Sequence, residues 1–232
     1  MSMSIGIILT PDERSKAYIQ KILKNNIQLD YIILMNDHRV ENKFSSEQIQ
    51  ESLNNGFDIS ISVIDTLKDR NIDYKEFPFV DINHPKLIEY LETISTEYMI
   101  FTGGGILQHE VLSLGIKFIH LHPGIVPEYR GSTCFYYSIL NEDKAGVTAF
   151  IMDEHLDTGD TIIQKSFQKP HYKYIDEVYD PYIRSETLIE LLTKKNLMPT
   201  NFVEQNPLEG ETYYIIHPIL KHIAILSCIS ND

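Results

Sequence analysis

The first 35 residues limit the fold more than any other part of the chain. An apolar run, SIGIIL (residues 4–9), leads into TPDE; Tyr18, Ile19, Ile22 and Leu23 recur at helical spacing; and a second apolar run, YIILM, follows at residues 31–35. Short apolar runs without alternation suit strands buried on both faces, and a strand, a helix and a second strand in that order suit a parallel βαβ unit. Thr10 is placed to cap the helix, with Pro11 at its first position and Glu13 completing a capping box. The expected class is α/β with a parallel sheet.

The alternation continues downstream. Residues 36–58 are polar and read as a loop with a short helix; ISVIDTLKDRN reads as a helix, DYKEFPFV as a strand ending near Val80, and DINHPKLIEYLETI as a helix begun by Asn83 and Pro85. EYMIFTGGG gives a strand running into three glycines, LQHEVLSLG a short helix, and KFIHLH another strand. GSTCFYYSIL then suggests a helix, while GVTAFIMD and DTIIQKSFQ suggest two strands able to pair as a hairpin across EHLDTG. SETLIELLTKKN reads as a helix capped by Ser185, and GETYYIIHPILKHIAIL as a strand followed by an apolar tail.

Composition narrows the partners. With 232 residues and 43% hydrophobic content, one core is well supplied. The start, MSMSIGIIL, has neither the basic flank nor the apolar length of a signal peptide, and no window approaches eighteen uninterrupted apolar residues, so a soluble, cytoplasmic protein without a membrane partner is expected. Cys134 and Cys228 suggest neither a disulfide framework nor a zinc site. The net charge is −13, relieved only by the pair Lys194 and Lys195, and a nucleic acid would approach against that field. A small anionic substrate held by a few arginines stays open.

The chemistry-bearing stretch is KFIHLHPGIVPEYRG (117–131). Residues two apart on a strand share a face, so His120 and His122 project together at a strand's C-terminal end, where open α/β sheets bind ligands. Either histidine alone reads equally as a structural, hydrogen-bonded one. A His-x-His metal site is an alternative that needs further ligands such as His155 or Asp157, and no H-E-x-x-H or paired-cysteine spacing supplies them. The triplet Gly103, Gly104 and Gly105 matches neither a dinucleotide fingerprint nor a P-loop; it suits a tight turn or close approach to a flat ligand.

HLHPGIVPEYRG resembles the N-x-H-P-(S/G)-x-x-P-x-(Y/F)-(R/K)-G signature of 10-formyltetrahydrofolate-dependent formyltransferases, and AGVTAFIMDEHLDTGDTIIQ is similar to their second motif, G-V-T followed by D-x-G. The resemblance covers about residues 80–168. It implies a three-layer, Rossmann-like formyltransferase fold, a parallel half plus an antiparallel extension, with a catalytic domain over 1–168 and a C-terminal extension over 169–232 packed on it. It also implies catalytic roles for His122 and Asp157, and for His120 at the position where the family has asparagine. The folate donor, 10-formyltetrahydrofolate, is expected on Thr102, Gly103, Gly104, Gly105, Ile106 and Leu107 and on Phe150, Met152, Asp153 and Glu154. No metal is expected. Asp157 should hold His122 protonated as a donor to the developing oxyanion, leaving His120 as the neutral member of the pair.

The acceptor amine is the open choice. Initiator-tRNA formyltransferases resemble the same motifs but carry a C-terminal β-barrel, for which the residues after Gln168 are too few and too acidic. Formyltransferases acting on glycinamide ribonucleotide keep the asparagine and a Ser-Leu-Leu-Pro loop where this chain has Gly124, Ile125, Val126 and Pro127; they are the principal alternative. A hydrolase taking formyl from the same folate has the same triad, usually behind a regulatory domain. The HxHPG form looks closest to amino-sugar N-formyltransferases of surface-glycan pathways near pseudaminic acid, so a small amino-sugar substrate is expected. Tyr129, Arg130 and Thr133 are the acceptor-side candidates, joined by Tyr213, Tyr214 and His217 of the tail. A homodimer is an open arrangement, with HIAIL as its surface. The alternatives of another class are a non-catalytic folate- or sugar-binding protein and a His-x-His metal-dependent hydrolase.

Overall fold

β1 (Ile5–Leu9) has parallel neighbours on both edges, β2 (Tyr31–Met35) and β4 (Tyr98–Phe101), which is why no polar residue interrupts it. The computed structural model describes residues 4–40, 42–194, 202–206 and 209–229, and its contacts divide the chain into two units, Met1–His120 and Leu121–Asp232. Thr161–Gln168 and the segment beyond it lie in the same second unit.

In the first unit the strand order is β3 (Lys75–Phe77), β2, β1, β4, β5 (Lys117–His122), all parallel. The registers Ile7↔Ile32, Ile7↔Ile100 and Ile100↔Ile119 set isoleucines side by side in the interior. The order reverses at β1, so right-handed crossovers put the helices before the reversal on one face and those after it on the other. The helices are α1 (Glu13–Lys24), α2 (Ser46–Asn54), α3 (Val63–Asp69), α4 (Pro85–Thr93) and α5 (His109–Leu112).

Their starts show what sequence reading resolves and what it misses. The cap of α1 is Asp12, whose Oδ1 accepts from the Ser15 amide at 2.8 Å, not Thr10. Thr10 lies two residues earlier and donates to Asp12 Oδ2 at 2.8 Å, holding the capping carboxylate. Ser45 and Gln48 form a full capping box at α2, inside the segment expected to be mostly loop. At α4 the cap is His84, not Asn83; Nδ1 accepts from the Lys86 amide at 3.2 Å, while Asn83 spans the neighbouring loop to Ile106 and Gln108.

The second unit carries the antiparallel extension. After the last two residues of β5 come β6 (Tyr129–Gly131), α6 (Cys134–Glu142) and β7 (Lys144–Ile151), which pairs antiparallel with β8 (Thr161–Gln168) in the register Val147↔Lys165. The expected hairpin is present. A π-helical turn, Ile175–Tyr179, opens α7 (Asp180–Thr193), so Ser185 is interior to that helix and donates to the Tyr182 carbonyl instead of capping. β9 (Glu211–Tyr213) pairs parallel with β6, and the apolar tail forms α8 (Pro218–Ile229), a helix. Lys195 lies outside the described residues.

Candidate active site

The loop after β5 is held from behind by β7 and β8. Thr148, fully buried on β7, donates to the Gly124 carbonyl at 2.8 Å and accepts from the Val126 amide at 3.2 Å; Gln164 on β8 donates to the Val126 carbonyl at 2.6 Å. The threonine of G-V-T is thus the strut of the H-P-G loop. Gly124 has no room for a side chain, since a Cβ there would stand 2.8 Å from His122 Nε2 and 2.6 Å from the Tyr129 carbonyl oxygen. The Val126–Pro127 peptide bond within this loop is cis.

His122 is 2% exposed, and both ring nitrogens face acceptors: Nε2 lies 2.8 Å from the Tyr129 carbonyl oxygen and Nδ1 lies 3.4 Å from Asp157 Oδ2. A carbonyl can only accept, so Nε2 carries the hydrogen. Burial pushes the His122 pKa below its ordinary 6.5, against the upward pull of the Asp157 charge and the Tyr129 carbonyl; Arg184 lowers it further and Asp180 raises it. Burial thus works against the charged His122 expected from its carboxylate partner. Water is excluded, and the loss of hydration outweighs the carboxylate at this distance. With the Nε2 hydrogen on the Tyr129 carbonyl, Nδ1 is the nitrogen that faces Asp157 for proton exchange.

Asp157 stands in the turn between β7 and β8 with φ +54°, and its Oδ2 accepts from the Gly131 amide at 2.8 Å. Gly159 of the same D-x-G must be glycine, because a Cβ would stand 1.7 Å from the Ile151 carbonyl oxygen. Asp153 ties this turn, accepting from the His155 amide at 2.9 Å and from the Thr158 hydroxyl at 3.0 Å. Phe150 is buried with its ring 6.2 Å from that of His122, Met152 is half-buried and Glu154 is exposed.

The acceptor-side candidates are strongly engaged within their own unit. Arg130 is 5% exposed, donating from Nη1 to the Glu209 carbonyl at 2.8 Å and from Nη2 to Gln205 Oε1 at 3.0 Å. Thr133 has φ +55° and accepts from the Ile216 amide at 3.0 Å. The Tyr129 hydroxyl donates to Glu142, and burial with that carboxylate pushes its pKa up to about 12. Tyr213 stacks on Tyr129 at 5.3 Å. Tyr214 is exposed, its carbonyl accepting from the Tyr137 hydroxyl, and the His217 ring accepts from the Ile219 amide at the start of α8.

In the first unit, Thr102 is buried and donates to the Ile8 carbonyl at 2.9 Å while accepting from Ser15. Gly103 lies beside Thr10, Asp12 and Arg14, and the Gly104 carbonyl accepts from the Ile82 amide at 2.9 Å. Gly105 has φ +110°, and a Cβ there would meet nothing within 4 Å. Ile106 is 85% exposed and Leu107 buried. His120 is half-buried, its ring 6.4 Å from that of Phe101. Among the described residues no three His, Cys, Asp or Glu side chains gather as a metal-binding group.

Sequence reading missed Gln205 and the pair Arg184 and Asp180. Arg184 donates from Nη1 to the Leu121 carbonyl at 2.6 Å, next to His122, while its Nε pairs with Asp180 at 2.7 Å. The i,i+4 spacing of Asp180 and Arg184 is local, but the bonds of Arg184 to Leu121 and of Gln205 to Arg130 and Asp157 span 48 residues or more, and no local pattern announces them.

Comparison with known proteins fits this geometry. The chain matches a methionyl-tRNA formyltransferase of Caldanaerobacter subterraneus subsp. tengcongensis at 33% identity over 148 residues, 61% of this chain and 47% of that protein. The matched segments span about a third to a half of the length of such curated relatives. A sugar N-formyltransferase from Shewanella sp FDAARGOS_354 superposes with a TM-score of 0.57 at 18% identity, covering 99% of this chain and 89% of that one. An N-formyltransferase from Helicobacter canadensis, in complex with folinic acid and dTDP-3-aminofucose, superposes with a TM-score of 0.59 at 17% identity, covering 92% and 71%. These likenesses show the fold. The family model described as "Formyl transferase" matches residues 42–186, which hold both His122 and Asp157, and the chain belongs to that family.

Proposed function

We propose that this protein transfers the formyl group of 10-formyltetrahydrofolate to the amine of an amino sugar, free or nucleotide-linked. The observation that carries the reading is the buried His122, its Nε2 on the Tyr129 carbonyl and its Nδ1 beside Asp157. Family membership supports formyl transfer, and the sugar N-formyltransferases among the similar structures support the acceptor class. The net charge of −13 favours a small acceptor over a polyanion.

A formyl-folate supplies an activated carbonyl carbon on N10, a nitrogen that leaves once it is protonated. The open main chain at Gly105 suits a flat pterin lying against backbone; residues 102–107 in the first unit, and Phe150, Met152, Asp153 and Glu154 in the second, are the groups assigned to the donor. When the acceptor nitrogen bonds to the formyl carbon it must lose a proton. Asp157 accepts that proton and passes it to Nδ1 of His122; the Tyr129 carbonyl holds the ring, and the carboxylate, ionised again, stabilises the imidazolium while it lasts. The same proton then returns to the leaving nitrogen. Because the Nε2 hydrogen of His122 is committed to Tyr129, the oxyanion donor is assigned to His120. Tyr129 and Thr133 are assigned to the acceptor side, while Arg130 supports the wall of the site through its bonds to Gln205, Asn206 and Glu209.

A methionyl-tRNA acceptor is the second reading, favoured by the curated relatives and opposed by the charge. A homodimer belongs to the same proposal, with the exposed Ile219, Ile223 and Leu226 of α8 as its surface. Cytoplasmic placement and a role in surface-glycan synthesis follow from the amino-sugar reading. The test is to follow tetrahydrofolate release from 10-formyltetrahydrofolate with a panel of amino sugars and their nucleotide conjugates, glycinamide ribonucleotide, methionyl-tRNA and water. Release dependent on an amino sugar supports the reading; release with none of them, or with water alone, removes it.

A further inference from the structure

Gln205 lies beyond the segment that matches the family, yet its carboxamide joins both sides of the candidate active site within the second unit. On one side Oε1 accepts from Arg130 Nη2 at 3.0 Å, with Nε at 3.4 Å, next to Tyr129, whose carbonyl holds His122. On the other side Nε2 donates to the carbonyls of Gly159 at 2.6 Å and Asp157 at 3.2 Å. The orientation of the amide is unambiguous, because a guanidinium only donates and carbonyls only accept. Gln205 is 8% exposed, so these bonds form where water competes little.

The segment bearing Gln205 is itself anchored. Val203 and Thr161 exchange backbone hydrogen bonds at 2.9 and 3.0 Å, just past the Asp157 turn. Arg130 also donates to the carbonyls of Asn206 and Glu209. Asp157 has a left-handed backbone, a conformation that needs support from its surroundings. The carboxamide supplies support at the carbonyl of that residue and again two residues on.

We propose that Gln205 is a positioning residue that fixes the Asp157 turn against the Tyr129–Gly131 strand and so sets the approach of the Asp157 carboxylate to His122 Nδ1. The proposal rests on the reading of His122 and Asp157 as the proton-accepting pair. Gln205 touches neither substrate nor reacting atoms; it acts through the turn.

The test uses the full-length protein with the best amino-sugar acceptor and three variants. Gln205→Glu keeps the acceptor for Arg130 but sets a carboxylate against two carbonyls; Gln205→Met keeps the length and removes all four contacts; Asp157→Asn reports on the underlying reading. With folding checked by circular dichroism, both Gln205 variants should lose about tenfold or more in kcat while KM for the folate donor stays within about twofold. The acid limb of the kcat profile should also move to lower pH. His122 is faced by Asp157, the Tyr129 carbonyl, Arg184 and Asp180, and a looser Asp157 removes the largest influence favouring its protonation.

Wild-type kcat and pH profile in the folded Gln205 variants, with Asp157→Asn inactive, would overturn the proposal and leave the catalytic reading standing. Failure of both variants to fold would also overturn it, making the carboxamide a requirement of the fold. Full activity in Asp157→Asn would instead remove the reading on which the proposal rests.

Discussion

The carbonyl of Tyr129 decides the chemistry available to His122. By taking the Nε2 hydrogen at 2.8 Å it leaves Nδ1 as the basic nitrogen, and Nδ1 is the one 3.4 Å from Asp157.

Asp157→Asn should abolish transfer while leaving the fold intact. An amide oxygen can still accept from the Gly131 amide, but it takes no proton and stabilises no imidazolium. A fall in kcat on the order of 100-fold or more is expected, with binding of a folate analogue retained. Retention of most of the rate would make the carboxylate a turn-closing group only.

The pH dependence follows from the depressed pKa of His122. The unfolded chain binds a proton on this residue at a higher pH than the folded one, so folding stability is full above the ordinary value of 6.5 and declines as pH falls below it towards the folded pKa. Activity needs the neutral ring, so kcat should stay level through neutrality and fall only on the acid side of 6.5. A kcat that instead falls between pH 6.5 and 8 would mean that the protonated ring is the active form. Chemical denaturation and kcat measured across the same buffers separate the two effects.

The main lines of the fold were legible because the first unit repeats one local rule: an apolar strand, a cap, an amphipathic helix. His122 and Asp157 were legible because they sit in two motifs whose glycines and threonine brace them, as Gly124, Thr148 and Gly159 show. Two of the misassigned caps have a common cause. Thr10 and Asn83 are competent capping residues that the structure uses two residues and one residue before the cap, a choice among nearby polar side chains made by tertiary packing, whereas Ser185 was displaced because α7 starts earlier, at Asp180. The contacts of Gln205 with Arg130 and Asp157, and of Arg184 with Leu121, were invisible because these partners lie tens of residues away. The balance of influences on His122 has a similar cause: sequence shows the carboxylate partner but not the degree of burial.

Thr148→Val tests the strut of the H-P-G loop. It leaves the Gly124 carbonyl and the Val126 amide without their side-chain partner in a buried place, which should cost about 1–3 kcal/mol of stability. Thermal and urea denaturation measure it, and an unchanged midpoint would show that the loop is held by other contacts.

His120→Asn should retain substantial activity, since a carboxamide also donates to an oxyanion, whereas His120→Ala should lose on the order of 100-fold or more in kcat. Equal damage from both changes would remove the oxyanion assignment and point to proton transfer or acceptor binding at this position.

The most direct measurement follows an isotopically labelled formyl carbon. Wild-type protein and Asp157→Asn are each given labelled 10-formyltetrahydrofolate with nucleotide-linked amino sugars, and the label is located by NMR. The account predicts an N-formyl amide on an amino sugar with the wild type and label remaining on folate with Asp157→Asn. Label appearing as formate whatever acceptor is present, or on the amino sugar at equal rates with both proteins, would contradict it.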